Sequence, residues 1–162
     1  MNDYSDLLYT IMSVVIFSFL LLQANSLILR NDAVTVNHEF EKTAIGVAQS
    51  IIDEAKTRAF DPDMSPGSIP DGFRPPGQMG WNGTTPRDQF TSFDDYHDYT
   101  EIVQTQLGNY EVSVFVEYVE NESPFAVSGT QTVSKRMTVQ ATSDDNNESA
   151  TLVYIKSYLP GL

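Results

Sequence analysis

The chain contains no cysteine, so disulfide bonds, thiolate metal sites and cysteine nucleophiles are all excluded. It has only two histidines, His38 and His97, with no glycine-rich phosphate loop and no Gly-x-Ser-x-Gly nucleophile elbow. These absences leave few ways to build a catalytic centre, and we expect neither an enzyme nor a bound cofactor. A domain without disulfides must be held by packing, or by its neighbours in an assembly.

Basic residues are scarce as well. Nine Lys and Arg stand against 22 Asp and Glu, which gives the 162-residue chain a net charge of −13. No cluster of Lys and Arg is available to neutralise phosphates, which argues against a nucleic-acid partner. Acidity of this kind is typical of a solvent-exposed surface. The length suits one domain plus an anchor.

Glycine and proline are missing from the first part of the chain, since the first glycine is Gly46 and the first proline is Pro62. Residues 7–22 also carry no charge, and the sequence stays mostly apolar as far as Arg30. About 20 such residues in a helix cross the hydrocarbon core of a bilayer. Residues 1–30 are therefore predicted to form an apolar helix that lies in lipid or packs against copies of itself, with a simple membrane anchor as the alternative.

Two carboxylates, Asp3 and Asp6, lie at the start of this apolar helix. They argue against a cleaved signal peptide, which begins with a basic region. A carboxylate this close to a membrane is costly to bury without a cation, and the α-amino group of a neighbouring chain would be one such partner. Alternatively, both aspartates sit in interfacial water and cap the helix start. The residues alone leave both roles open.

Residues 31–60 continue the helix with a different pattern. Apolar residues recur there at steps of three and four, which is typical of an amphipathic helix: Val36, Phe40, Ala44, Val47 or Ala48, Ile51 and Ala55. The pattern predicts one helix from about Tyr4 to about Ala59, ended by Asp61-Pro62. Its single apolar stripe requires a globular partner.

Residues 61–99 are predicted to be irregular, since six prolines and five glycines fall within residues 61–89. Aromatic residues in this loop indicate that it lies on a surface, either of its own domain or of the next subunit. Near its end, Asp94, Asp95 and Asp98 could ligate Ca²⁺ through oxygen, but their spacing does not match an EF-hand. We favour no metal, and instead an ordered turn whose Asp side chains accept hydrogen bonds from nearby amides.

Residues 100–162 are predicted to form an antiparallel sheet of four strands, at residues 100–107, 110–118, 132–142 and 150–158, with a turn at Gly108-Asn109. On the third strand Val133, Met137, Val139 and Ala141 share one apolar face. A sheet with one apolar face needs a cover, and the stripe of the long helix is the only helical cover available. The predicted fold class is therefore α+β, a long N-terminal α-helix packed on a four-stranded antiparallel sheet.

Three segments match the N-glycosylation pattern, beginning at Asn82, Asn121 and Asn147. Pro124 follows the second segment directly and weakens it. Such short matches are common by chance, and the intact mass of the protein would decide whether a glycan is attached.

This order of parts resembles the type IV pilin and type II secretion pseudopilin superfamily across the whole chain. Two local segments carry the resemblance further. Residues 44–55, AIGVAQSIIDEA, with residues 58–61, RAFD, are similar to the helix end of pilin-like proteins related to the mannose-sensitive haemagglutinin pilus. Residues 93–99, FDDYHDY, are similar to an Asp-rich aromatic motif in the same group.

The resemblance implies a structural subunit of an extracellular, helical homopolymer. Such a subunit would lie in inner-membrane lipid of a bacterium before assembly and in a cell-surface filament afterwards, where it could serve adhesion to a target that the sequence does not identify. The alternatives are a minor pseudopilin of a secretion-like machine and a single-pass, membrane-anchored binding domain.

The start of the chain departs from the family pattern. Pilin precursors carry a leader that is cut before the mature first residue, so we expect either that Met1 is already that residue or that processing differs. The family glutamate at the fifth mature position falls on Ser5, and Asp6 is our first choice for its role, with Asp3 second. If so, Asp6 pairs with the α-amino group of Met1 on an adjacent subunit.

The front helix also lacks the Gly or Pro at which many pilins melt in the filament, so we expect little or no melting. Small residues would allow close approach of neighbouring helices, and larger apolar residues would pack around them. The candidates for helix packing are Ser13, Phe17, Ser18, Leu21 and Ala24.

Overall fold

The computed structural model describes residues 3–62 and 69–159, with side chains at residues 4–27, 35–62 and 69–159. The chain divides into two compact units, Met1–Glu39 and Phe40–Leu162. Its elements are the helix α1 (Asp3–Thr57) and the strands β1 (Tyr99–Thr105), β2 (Gly108–Tyr118), β3 (Ser134–Ser143) and β4 (Ser149–Ser157), with three short 3-10 helices between α1 and β1. The predicted α+β fold class, a long N-terminal helix packed on a four-stranded antiparallel sheet, is confirmed.

The helix α1 ends at Thr57, two residues before the predicted end. The backbone of Ala59 leaves the helix because it pairs with the segment before β1: its N–H donates to the carbonyl of Thr91 at 3.2 Å, and its carbonyl accepts from the N–H of Phe93 at 2.8 Å. Asp61 and Pro62 then follow outside the helix, as the proline requires.

The sheet is a simple antiparallel meander in the order β1-β2-β3-β4. The turn between β1 and β2 lies at Gln106-Leu107, and not at Gly108-Asn109, which already belong to β2. The Thr105 side chain fixes this earlier turn, since its hydroxyl accepts from the N–H of Leu107 and donates to the carbonyl of Gly108. Gly108 has φ +111, which a residue with a side chain rarely adopts.

One hydrophobic core holds the second unit together. The apolar stripe of α1 and the inner face of the sheet both contribute to it, with Ala44, Ala48, Ile51 and Ala55 from the helix and Val112, Val116, Met137, Val139 and Ala141 from the strands. Val36, which belongs to the same predicted stripe, is 48% exposed, so the buried stretch of the stripe begins only at Phe40.

The loop before β1 packs on its own domain, one of the two surfaces that the sequence left open. Phe73 is buried in a second, aromatic cluster with Phe60 and Tyr118. Trp81 packs edge-on against Tyr99 and donates from its indole N–H to the carbonyl of Thr85 at 2.7 Å. The aromatic residues therefore fold this glycine- and proline-rich loop onto the sheet.

Candidate functional site

The most distinctive surface of the described chain is the front of α1. Residues Tyr4–Leu27 form the one helix among the described residues that is long and apolar enough to cross a membrane, and none of its most apolar window is buried. We call these 24 residues the apolar segment. Large side chains such as Phe17 and Leu21 are 61% and 55% exposed. A surface of this kind needs lipid or other chains as its surroundings.

Hydroxyl groups within the apolar segment are satisfied by the helix itself. Thr10 donates to the carbonyl of Asp6, Ser13 to that of Thr10, and Ser18 to that of Val14, each at 2.8 Å. Bonds of this type remove the cost of placing a hydroxyl where no water can reach it. These three hydroxyl groups are therefore compatible with apolar surroundings.

The predicted helix-packing residues are all exposed on α1. At about 100° per residue, Ser13, Phe17, Leu21 and Ala24 fall within an arc of about 80°, whereas Ser18 lies about 60° outside it. The geometry thus brings four of the five residues onto one face of the helix. Their packing against other helices stays a prediction.

Of the residues predicted for the terminal charge pair, Asp6 is the one whose side chain the structure describes. Asp6 lies in the first turns of α1, and its backbone carbonyl accepts the hydrogen bond from Thr10. Met1 and the side chain of Asp3 lie outside the described residues. The pairing of Asp6 with an α-amino group therefore also stays a prediction.

The three aspartates considered for Ca²⁺ do not converge on one point. Asp95 accepts from the backbone N–H groups of Thr91 and Ser92, at 2.9 Å each. Asp98 is exposed beside His97, and Asp94 is buried against a lysine. Within the described ranges no group of three His, Asp or Glu side chains could hold a metal ion. Asp94, Asp95 and Asp98 therefore have different partners in this fold, and the absence of a metal stays a prediction.

Sequence reasoning missed a buried charge cluster formed by Asp61, Asp94 and Lys135. The Nζ atom of Lys135 lies 2.5 Å from Oδ1 of Asp94 and 2.8 Å from Oδ2 of Asp61, and all three side chains are 0% exposed. Lys135 shares the inner face of β3 with Met137, because side chains alternate along a strand. That alternation was visible in the sequence, but a lysine is rarely placed in an apolar face.

Aromatic rings enclose this cluster. The Nζ atom of Lys135 lies 4.4 Å from the ring centre of Phe60, 4.7 Å from that of Tyr118 and 5.8 Å from that of Phe73. Rings at these distances attract a cation and exclude water. The hydroxyl of Tyr118 also donates to Oδ2 of Asp61 at 3.3 Å and to the carbonyl of Arg74 at 2.8 Å.

The two carboxyl groups of the cluster have different surroundings. Oδ2 of Asp61 accepts from the backbone N–H of Arg74 at 2.9 Å as well as from Tyr118 and Lys135. Oδ2 of Asp94 has no hydrogen-bond partner among the described residues. Burial raises the pKa of Asp94 to about 7. The positive charge of Lys135 lowers this pKa, whereas the neighbouring Asp61 raises it further. Asp61 is thus solvated as an anion, whereas Asp94 is suited to hold a proton.

The two segments that carry the family resemblance contact each other in the fold. Oε1 of Glu54 accepts from the hydroxyl of Tyr96 at 2.9 Å and from the guanidinium of Arg58 at 3.0 Å. The charge cluster makes a second connection, because Asp61 follows the helix and Asp94 lies in the aromatic motif. The motifs therefore form one structural joint between the helix end and the sheet.

The three asparagines of the glycosylation pattern are exposed. Asn82 heads a tight turn in which its Oδ1 accepts from the N–H groups of Thr84 and Thr85, and Asn147 has a positive φ of 59. Exposure leaves all three accessible, and the modification itself stays a prediction.

Comparison with known proteins gives no match, whether to a family model, to a curated protein or to a solved structure. The architecture itself is nevertheless clear from the fold. A long N-terminal helix begins with an exposed apolar segment, and its C-terminal part covers a four-stranded antiparallel sheet. This architecture is pilin-like.

Proposed function

We propose that this chain is a non-enzymatic structural subunit of an extracellular type IV pilus-like filament. The observation that carries the proposal is the apolar segment, 24 residues long and unburied, on a chain whose other unit closes its own core. The segment would lie in the inner membrane before assembly. It would then bundle with the segments of other copies in the filament core, while the acidic sheet units form the outer surface.

The driving force of this transfer follows from the chemistry of the segment. Lipid already shields apolar side chains from water, so moving the helix into a bundle adds little hydrophobic free energy. Close packing and the terminal charge pair must therefore favour assembly. A carboxylate such as Asp6 gains most from a cation where lipid or protein excludes water.

Electron microscopy of material sheared from cells that produce the chain tests the proposal. We expect long filaments composed of this chain. Detergent-soluble single copies without helical assembly would contradict the proposal and favour a single-pass anchored domain. Short complexes in which this chain is a minor component would instead indicate a pseudopilin.

The charge pair is tested by the double variant Asp3→Ala/Asp6→Ala, with the exposed loop carboxylate Glu122→Ala as the matched control. We expect a strong loss of filament yield only in the double variant, while the sheet unit stays folded. Normal filament yield from the double variant would refute the pairing role.

The packing face is tested by placing the same bulky residue on opposite sides of α1. Ser13→Phe lies on the predicted packing face, and Ser26→Phe lies about 180° from the centre of that face. We expect Ser13→Phe to reduce filament yield more than Ser26→Phe, because close helix approach needs small residues. Equal yields would contradict the assigned face.

One observation favours the anchored binding domain as a second candidate. A cavity of about 320 Å³ opens beside Trp81 and is lined by polar groups that include Arg74, Gln89 and Asp95. An aromatic ring beside planar polar groups suits a carbohydrate or a polar peptide. Saturable binding of a soluble glycan, abolished by Trp81→Ala while the chain remains a membrane-bound monomer, would favour this candidate.

A further inference from the structure

The proposed filament assembly makes no use of the charge cluster of Asp61, Asp94 and Lys135, whose geometry suits a chemical reaction. We propose that Lys135 and Asp94 form an intramolecular isopeptide bond, an amide between Nζ of Lys135 and Cγ of Asp94, with Asp61 as the group that moves the protons. The inference concerns the second unit alone and does not depend on the proposed filament.

The first argument is proximity. Nζ of Lys135 is held 2.5 Å from a carboxyl oxygen of Asp94 by a strand on one side and an ordered turn on the other. The carbonyl of Phe60 accepts from the same Nζ at 3.1 Å and fixes its direction. Two groups held at contact distance react as if they were at a very high concentration, since their translational freedom is already lost.

The second argument is the cost of the ionic alternative. Each ion that is removed from water costs several kcal/mol, and a buried pair recovers this cost only with good geometry and complete hydrogen bonding. Here Oδ2 of Asp94 has no hydrogen-bond partner among the described residues. Condensation converts an ammonium and a carboxyl group into a neutral amide. The buried, aromatic surroundings therefore favour the amide over the separated groups, and the released water can escape to solvent.

The third argument is that the two carboxyl groups are divided between two roles. Reaction requires one carboxyl group to be protonated and a second, ionised one to accept a proton from the ammonium. Asp94 is the protonated group, because burial raises its pKa to about 7. Asp61 is the ionised group, because the N–H of Arg74, the hydroxyl of Tyr118 and Lys135 donate to it. Two neighbouring carboxyl groups in such different surroundings are typical of an acid–base pair.

The step balances without any oxidant or co-reactant. Asp61 accepts a proton from the ammonium of Lys135, and the neutral amine attacks Cγ of the protonated Asp94. The C–N bond forms, the C–OH bond breaks, and the hydroxyl leaves as water together with the second amine proton. One water molecule is released, and Asp61 retains the proton that it accepted.

Such a bond would join the turn before β1 to β3 covalently, directly beside the end of α1. In a chain without cysteine it would do what a disulfide does elsewhere, which is to restrict the unfolded chain.

Mass spectrometry of the denatured full-length chain, purified folded in detergent, tests the inference. The Lys135→Arg variant is the reference, so that any processing or glycosylation common to both proteins cancels. Relative to this reference, and after the substitution itself is subtracted, we expect the mass of the wild-type chain to be lower by one water. Proteolysis should yield a branched peptide that joins Lys135 to Asp94. A wild-type mass that is not lower by one water would overturn the proposal and leave the cluster as an ion pair.

Two further variants separate the roles of the carboxyl groups. Each is first shown by circular dichroism to be folded, because the bond forms only when the fold holds the two side chains together. Asp94→Asn should lose ammonia instead of water, because the amide nitrogen is then the leaving group. Asp61→Asn keeps both reacting groups but should lose neither. Loss of water from Asp94→Asn, or a branched peptide joining Lys135 to Asp61, would overturn the assignment of Asp94 as the reacting carboxyl group.

Discussion

The two units of the chain use the same apolar residue types in opposite ways. In the first unit Ile16 is 50% exposed and Phe17 is 61% exposed, whereas in the second Ile51 and Phe93 are 0% exposed. The second unit therefore obtains its burial from its own helix stripe and sheet, whereas the described side chains of the first unit form no core. The apolar segment is therefore a surface whose partner must come from outside the described chain.

Charged residues show the same contrast. Asp6 stands on the exposed surface of the apolar segment, and the α-amino group that we propose as its partner belongs to another copy of the chain. Asp61 and Asp94 instead meet Lys135 inside the second unit, where the chain supplies the cation. The second unit thus supplies the partners of its own buried core and of its own buried charges, and we expect it to fold alone.

Removing the first unit gives the largest expected effect. A chain that begins at Thr35 should be a soluble, folded monomer without detergent, because it keeps the whole core and loses the apolar segment. Circular dichroism, size-exclusion chromatography and a cooperative denaturant transition check this expectation. If the truncated chain aggregates or unfolds, the second unit depends on the first and the contrast between the units is wrong.

The next largest effect is expected from the charge cluster. Lys135→Ala leaves Asp61 and Asp94 buried without a cation, and breaking a buried pair in this way costs about 3–5 kcal/mol. Chemical denaturation of the truncated chain measures the loss. This loss in the free energy of unfolding is the one expected for an ionic cluster. If Lys135 and Asp94 have condensed, Lys135→Ala also removes the covalent bond between them.

Lys156→Ala is the matched control, since Lys156 is half-buried and donates to the carbonyls of Lys56 and Arg58 at the end of α1. It removes a helix cap and should cost only about 1 kcal/mol. Equal losses from the two lysine variants would show that the buried cluster contributes no more than a surface cap.

The sequence predicted the fold well because periodicity carries that information directly. The steps of three and four in α1 and the alternation in β3 are local patterns, and residues of both appear in the core. The charge cluster could not be predicted in the same way, since Asp61, Asp94 and Lys135 are far apart in the chain and only the fold brings them together. The sequence alone places Asp61 at the helix end and in the RAFD segment, and it places Asp94 beside Asp95 and Asp98, which have other partners in the fold.

A pair of identical substitutions compares the two units directly. Ile51→Ala removes a fully buried side chain and should destabilise the second unit by about 2–5 kcal/mol, through lost burial and the cavity that remains. Ile16→Ala removes an exposed side chain and should change the same unfolding transition by less than about 0.5 kcal/mol. Both variants are measured in the full chain in detergent. A comparable destabilisation by Ile16→Ala would mean that the apolar segment supports the core of the second unit.

The smallest expected effect is an alkaline one, and it arises from tyrosines that the second unit buries. Burial raises the pKa of Tyr99 to about 12, with a further increase from its hydrogen bond to Oε2 of Glu101 at 2.9 Å. A phenol in the unfolded chain has a pKa of about 10, so the folded state holds this proton more tightly than the unfolded state does. The free energy of unfolding is therefore unaffected by Tyr99 below about pH 10 and falls above it, by about 1.4 kcal/mol for each pH unit until the folded pKa is reached.

Denaturation of the truncated chain at pH 9 and pH 11 should show this loss, and Tyr99→Phe should lose about 1 kcal/mol less over the same interval because it has no proton to release. If Tyr99→Phe and the unsubstituted chain lose the same stability, Tyr99 ionises as freely in the folded state as in water, and its ring is not enclosed as the core of the second unit requires.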